Sequence, residues 1–222
     1  MEKPLFHVIN RETWPRSIYF DYYINTIRCR YNLGADLDMT NLQRFRQKKG
    51  LKFFPVMLYV IMRAVNNHEE FRMAFNELGE PGFWDVVHPC YTLFHPENET
   101  FTDIWSEYSG DFSRFYDVVL DDMARYRHVT GKIKARDHEP PNICPVSSLP
   151  WLTFTNFAQD SCAENRFLSP LIKFGRYETR GEKIIIPVSV SVHHAAADGF
   201  HTCRLINEMQ QMLSTPEAYL LS

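Results

Sequence analysis

The stretch "KIIIPVSVSVHHAAADGFHTC", residues 183 to 203, holds two patterns back to back. Val188, Val190 and Val192 alternate with Ser189, Ser191 and His193, which is the period of a β-strand. From Gly199 onward, Cys203, Ile206, Met209 and Leu213 recur at helical spacing and predict an amphipathic helix with those side chains inward. Between strand and helix stand His193, His194, three alanines, Asp198 and His201. Neighbouring strand residues point to opposite faces, so a strand that reaches His194 sends the two histidines apart. The small Ala195, Ala196 and Ala197 are expected to leave open space beside the second. Asp198 and Gly199 end the turn, where the unpaired N–H groups of a first helical turn favour a carboxylate.

An imidazole with an ordinary pKa near 6.5 accepts a proton around neutral pH, given a fixed tautomer and a partly enclosed site. Three blander readings compete with a base. His193, His194, Asp198 and His201 could ligate a metal, but the divergence of neighbouring strand side chains argues against it. His193 and His201 read better as hydrogen-bonded core residues. Asp198 reads as a helix cap with a structural role, because a carboxylate at a helix start is held as the anion.

Outward from this junction, the chain reads as one α/β domain over residues 1–222. Pro15 in "WPRS" suits the first turn of a short helix over 14–24. "IRCRYNLGADLD" (27–38) reads as a strand, and "DMTNLQRFRQKK" (38–49) as a helix capped by Asp38 or Thr40. "FFPVMLYVIMRAVNNH" (53–68) is apolar on most sides and predicts a buried helix. Residues 81–108 read as strands broken by prolines, and 110–128 as a helix with Phe112, Phe115, Val119 and Met123 on one face. Residues 130–148 are polar and Pro-rich, hence loop; "WLTFTNFA" (151–158) and "PLIKFGRYE" (170–178) look strand-like. Without a strict βα rhythm, the expected architecture is a two-layer sandwich: a mixed, largely antiparallel sheet with helices packed on it.

Composition narrows the partners. A net charge of -3 without a basic tail gives nucleic acid no footprint. The longest apolar run, at 53–62, is too short to span a bilayer, and the N-terminus carries no recognisable signal peptide. Five scattered cysteines without a CxxC pair fit reduced thiols in the cytoplasm and no zinc site.

"HHAAADGFH" (193–201) resembles the HHxxxDGxH signature of the trimeric chloramphenicol acetyltransferases, and its HxxxDG core is shared across CoA-dependent acyltransferases. The segments "KFFPVMLYVIMRAVNNHEEFRMAF" (52–75), "FWDVVHPCYTLFHPENETFTDIWSEY" (83–108) and "SSLPWLTFTNF" (147–157) resemble the same family in order. The resemblance implies a CoA-dependent acyltransferase-like fold. It implies acetyl transfer from acetyl-CoA to the 3-hydroxyl of chloramphenicol in a homotrimer with sites at subunit interfaces, without a metal.

By motif position His194 would be the general base, and Ser147, with Ser148 as rival, the donor to the tetrahedral oxyanion. Asp198 would pair with Arg16 and hold the site's shape. The acceptor pocket would draw on Tyr22, Tyr23, Ile27, Cys29, Tyr31, Phe101, Phe157 and Leu171. Acetyl-CoA would meet Trp151, Lys173, Arg176 and Tyr177. The chain departs from the family pattern at Lys173, where a Thr is usual, and at Gln159, which makes an edge of the acceptor pocket more polar.

Overall fold

The computed structural model describes residues 4–159 and 166–221, so Cys162 lies outside them. Among the described residues the strands are β1 Phe6–Val8, β2 Arg30–Asp38, β3 Met73–Phe75, β4 Pro81–Trp84, β5 His88–His95, β6 Thr100–Trp105, β7 Ile143–Leu149, β8 Leu171–Gly175, β9 Glu178–Arg180 and β10 Lys183–His193. The α-helices are α1 Ser17–Asp21, α2 Thr40–Lys49, α3 Phe53–Asn66, α4 Phe112–Tyr126, α5 Gly199–Ser214 and α6 Glu217–Leu220, with a π-helical turn over Tyr22–Ile27.

The main sheet runs β2-β10-β8-β7-β5-β6, with β9 added on the start of β10, and β1-β4-β3 form a separate three-stranded sheet. Only the β5–β7 and β7–β8 pairs are parallel; the other pairings are antiparallel. Helix α3 packs against α4 and α5 and lies on β5, while α5 covers β2. The architecture is an α/β sandwich with a mixed, largely antiparallel sheet.

Strand β10 is buried on both sides from Ile186 to His193. Ile186, Val188, Val190 and Val192 join the core beneath the helices. Burying a side chain of that size contributes about 1.5–3 kcal/mol. A slip of one residue would exchange these valines for Ser189, Ser191 and His193, so the register is firmly set. Helix α3 buries ten residues, from Pro55 to Val65, and Pro55 sits in the first turn, where its missing N–H has no helical partner to lose.

Several expectations are corrected. Residues 143–149 are a strand in the middle of the sheet, β7, and not the end of a loop. "WLTFTNFA" forms no strand. That run instead crosses the sheet at two glycines: a Cβ on Gly34 would meet the Thr155 carbonyl at 2.9 Å, and one on Gly175 the Leu152 carbonyl at 2.9 Å. Two missing side chains thus let a backbone lie flat on the strands. In α5 the inward residues are Thr202, Leu205, Ile206, Met209, Met212 and Leu213, and Cys203 faces out. Asp38 binds the Thr40 N–H at 3.0 Å and its hydroxyl at 2.6 Å, so it serves the start of α2 from outside the helix.

Candidate active site

The strand stops at His193, and His194 is the first residue of the turn. The His194 N–H donates to the Cys29 carbonyl at 3.1 Å. Its ring lies flat on Tyr23, with centroids 3.7 Å apart and planes 4° from parallel. Tyr31 meets it edge-on at 5.0 Å. Nδ1 is sealed from solvent without a hydrogen-bond partner, which leaves Nε2 as the nitrogen able to meet a ligand. The alanines do not leave open space: all three are fully buried, with Ala195 and Ala196 packed among Phe20, Met73 and Leu168.

His193 points the other way and is a core residue, 4% exposed, whose Nδ1 accepts the Ala195 N–H at 3.2 Å. Burial, reinforced by the Arg30 charge, pushes its pKa down to about 4, so it is neutral. Asp198 caps α5 by accepting the Phe200 N–H at 3.0 Å. It also accepts from Arg16 at 2.7 Å and from His201 Nδ1 at 2.8 Å. Burial works against this anion, but the bonds from Arg16 and His201 outweigh it and hold the carboxyl below its usual range. Tyr31 bonds through its hydroxyl to Thr202, and burial raises its pKa to about 12, so it remains a neutral phenol. Among the described residues no three His, Cys, Asp or Glu side chains converge as metal ligands.

The second half of the predicted site lies elsewhere. A cavity of about 1050 Å³ opens where two parallel strands part. Strands β5 and β7 pair only from His88–Ile143 to Tyr91–Val146. Beyond that, β5 continues with β6 alone and β7 with β8 alone. Thr92, Leu93 and Phe94 line one lip, and Ser147, Ser148 and Leu149 the other. Trp151, Lys173, Arg176, Tyr177 and Phe101 line the same cavity. Sequence reasoning missed Phe53 and Phe54 at the start of α3, and Met123 and Arg127 at the end of α4, which also line it. Only the apolar spacing of α4, already used for its core face, hinted at Met123. The cavity's cations are Lys173, Arg127 and Arg176, and no carboxylate is among the described lining residues.

The structure therefore divides the predicted residues. Tyr23, Cys29 and Tyr31 touch His194, and Tyr22 lies edge-on to Tyr23 at 5.2 Å. Ile27 ends the same π-helical turn, exposed. Phe101 belongs to the cavity, Leu171 faces the Lys173 side of β8, and Phe157 holds Lys173 Nζ 4.8 Å from its ring centre. Gln159 is exposed. The two halves do not meet within one chain. Ser147, Lys173 and Ser189 share one register row across β7, β8 and β10, and His194 lies five residues further along. At about 3.3 Å per residue and 4.8 Å per strand, Ser147 and His194 are roughly 19 Å apart.

Comparison with known proteins decides what this arrangement is. The family model "Chloramphenicol acetyltransferase" matches residues 5–210. The chain belongs to the chloramphenicol acetyltransferase family. A chloramphenicol acetyltransferase of Clostridium butyricum is 41% identical over 215 residues, covering 97% of this chain and 98% of its own length. A solved chloramphenicol acetyltransferase superposes with a TM-score of 0.82 at 20% identity, covering 94% of this chain and all of that one. The dihydrolipoamide acetyltransferase of Azotobacter vinelandii shares the fold more loosely, with a TM-score of 0.65 at 16% identity over 86% of this chain and 84% of its own. Membership in the family accounts for the sandwich, and the second acetyltransferase shares that fold.

Proposed function

We propose that the chain transfers the acetyl group of acetyl-CoA to the 3-hydroxyl of chloramphenicol in a site shared between two copies of the chain, assembled as a cytoplasmic homotrimer. The family match over residues 5–210 carries this reading. His194, through Nε2, takes the proton of the acceptor hydroxyl as that oxygen attacks the thioester carbonyl directly. A positioned base of this kind contributes about 10²- to 10⁴-fold. Ser147 donates to the tetrahedral oxyanion, worth about 10²- to 10³-fold. Acetyl-CoA occupies the cavity between the splayed strands, with its phosphates toward the exposed Arg127 and Arg176 and its base near Trp151. The aromatic wall of Tyr22, Tyr23, Tyr31, Phe101 and Phe157 suits a nitrophenyl ring and dichloroacetyl chlorines.

The gap between Ser147 and His194 supports the shared site. So do Ile18, Tyr19, Tyr22, Ile27 and Phe200, which stay exposed in the segments around His194, as surfaces awaiting cover do. A head-to-tail contact that closes a ring places one copy's His194 at the next copy's cavity.

Thiol release from acetyl-CoA with chloramphenicol tests the reaction; release only with other alcohols moves the acceptor, and no release refutes it. Two inactive variants, His194→Ala and Ser147→Ala, are then mixed as unfolded chains and refolded together. A shared site restores about a quarter of the intact centres, since each partner is drawn at random. No recovery places both groups in one chain and refutes the sharing. The cation at Lys173 and the amide at Gln159 favour a second acceptor within the same reaction, a hydroxylated molecule more polar than chloramphenicol, which thiol release with other alcohols reveals.

A further inference from the structure

We propose that Lys173 is a second donor, beside Ser147, to the oxyanion of the acetyl-transfer step; this rests on the reading above. Ser147 and Lys173 stand opposite each other in the parallel β7–β8 register, and their side chains share one face of the sheet. The two strands are about 4.8 Å apart, so a flexible four-carbon stem places the ammonium within reach of any atom the Ser147 hydroxyl can bind.

Lys173 is only 7% exposed, whereas Arg127 and Arg176, the other cations of the cavity, are exposed. Arg176 lies three residues beyond Lys173, about 10 Å along an extended chain. The cavity is thus graded, with guanidinium groups at its mouth and one ammonium deep inside, level with Ser147. Phosphates, which carry charge before and after the reaction, belong at the mouth. Charge that exists only during the reaction forms at depth, where a fixed cation in a dry site stabilises it most.

The surroundings give Lys173 no structural work. It makes no ion pair among the described residues, and its recorded neighbour is the Phe157 ring. The charged group that acts on it is Arg30 on β2, and Arg127, Arg176 and Tyr177 line the same cavity, with no carboxylate among the described lining residues. Burial, with Arg30 adding repulsion, brings its pKa down to about 8. A buried ammonium without a counter-ion costs stability, and an isosteric apolar side chain would not.

In the step itself, the acceptor oxygen bonds to the acetyl carbon and its proton passes to His194. The carbonyl electron pair moves onto oxygen, which Ser147 and Lys173 then hold. Collapse re-forms the carbonyl and expels the CoA sulfur, which leaves with the proton from His194. Lys173 keeps its proton throughout.

The test is steady-state kinetics of the full chain and of Lys173→Met, with acetyl-CoA and chloramphenicol, across pH. The proposal expects kcat to fall about 10- to 100-fold in the variant, with KM for acetyl-CoA within about threefold and a raised Tm. In the unaltered protein kcat declines as pH rises through about 8, where Lys173 loses its charge, and the variant lacks that decline. A variant kcat within about twofold overturns the proposal. So does a loss confined to KM for acetyl-CoA, which would make Lys173 a phosphate ligand. Should the variant not fold, Lys173→Gln takes its place, and a kcat within about twofold of the unaltered protein overturns the proposal. Absence of transfer by the unaltered protein overturns the acetyl-transfer reading, and this one with it.

Discussion

The His194 end and the Ser147 end of the site are built on opposite principles. At the first, a ring is gripped from the flat and from the edge by two tyrosines, and the backbone N–H of its residue is tied to the Cys29 carbonyl. At the second, two strands simply part, and the hole is lined by side chains from six stretches of chain. The first fixes one group in one orientation, as a base requires. The second offers room and positive charge, as a large anionic co-substrate requires. The rigid end joins nine consecutive residues, 193–201, to a few side chains from residues 16–31, and the open end is spread over more than half the chain.

The largest expected effect tests the rigid end. His194→Ala lowers kcat by about 10³-fold in a thiol-release assay and leaves circular dichroism unchanged. Ser147→Ala costs about 10²-fold in kcat, and a Ser148→Ala effect of equal size would exchange their roles. Asp198→Ala tests the join between the ends of the chain: loss of the cap to Phe200 costs about 1–2 kcal/mol of stability by denaturant titration.

The same carboxylate gives a pH signature. Its pKa is depressed on folding, so its contribution is present above the ordinary value of 3.8 and is lost as pH falls through the folded one. Melting temperature should therefore drop on acidification below about pH 4 more steeply for the unaltered protein than for Asp198→Asn. The smallest effect falls on the helix: exposed Cys203→Ser should change stability by no more than about 0.5 kcal/mol.

Much of the rigid end was legible in sequence, and the reasons are local. The alternation of Val188, Val190 and Val192 holds because β10 is buried on both sides, with valine on one and hydroxyl or imidazole on the other. The helix after it was placed well but turned wrongly. Cys203 looks apolar and Thr202 polar, yet Thr202 takes the inward slot because its hydroxyl finds Tyr31.

Strand β7 was hidden among prolines. "ICPVSSL" has little strand character alone, and its conformation is imposed by parallel partners on both sides. "WLTFTNFA" failed in reverse. Its aromatic and β-branched residues match strand composition, but the two glycines beneath it make a crossing possible and a ladder unnecessary. The cavity's shape could not be read from periodicity, because strand splay depends on where pairing stops; the family resemblance alone named part of its lining.

The bond between Arg16 and Asp198 spans 182 positions of sequence. Its neighbours Tyr23, Cys29 and Tyr31 also come from the beginning of the polypeptide, while His194 and Thr202 come from its close. Nothing made early in synthesis can therefore orient the imidazole until residues 194–202 have left the ribosome. Competence arrives late and all at once, and a chain cut short before residue 194 would carry a cradle with nothing in it.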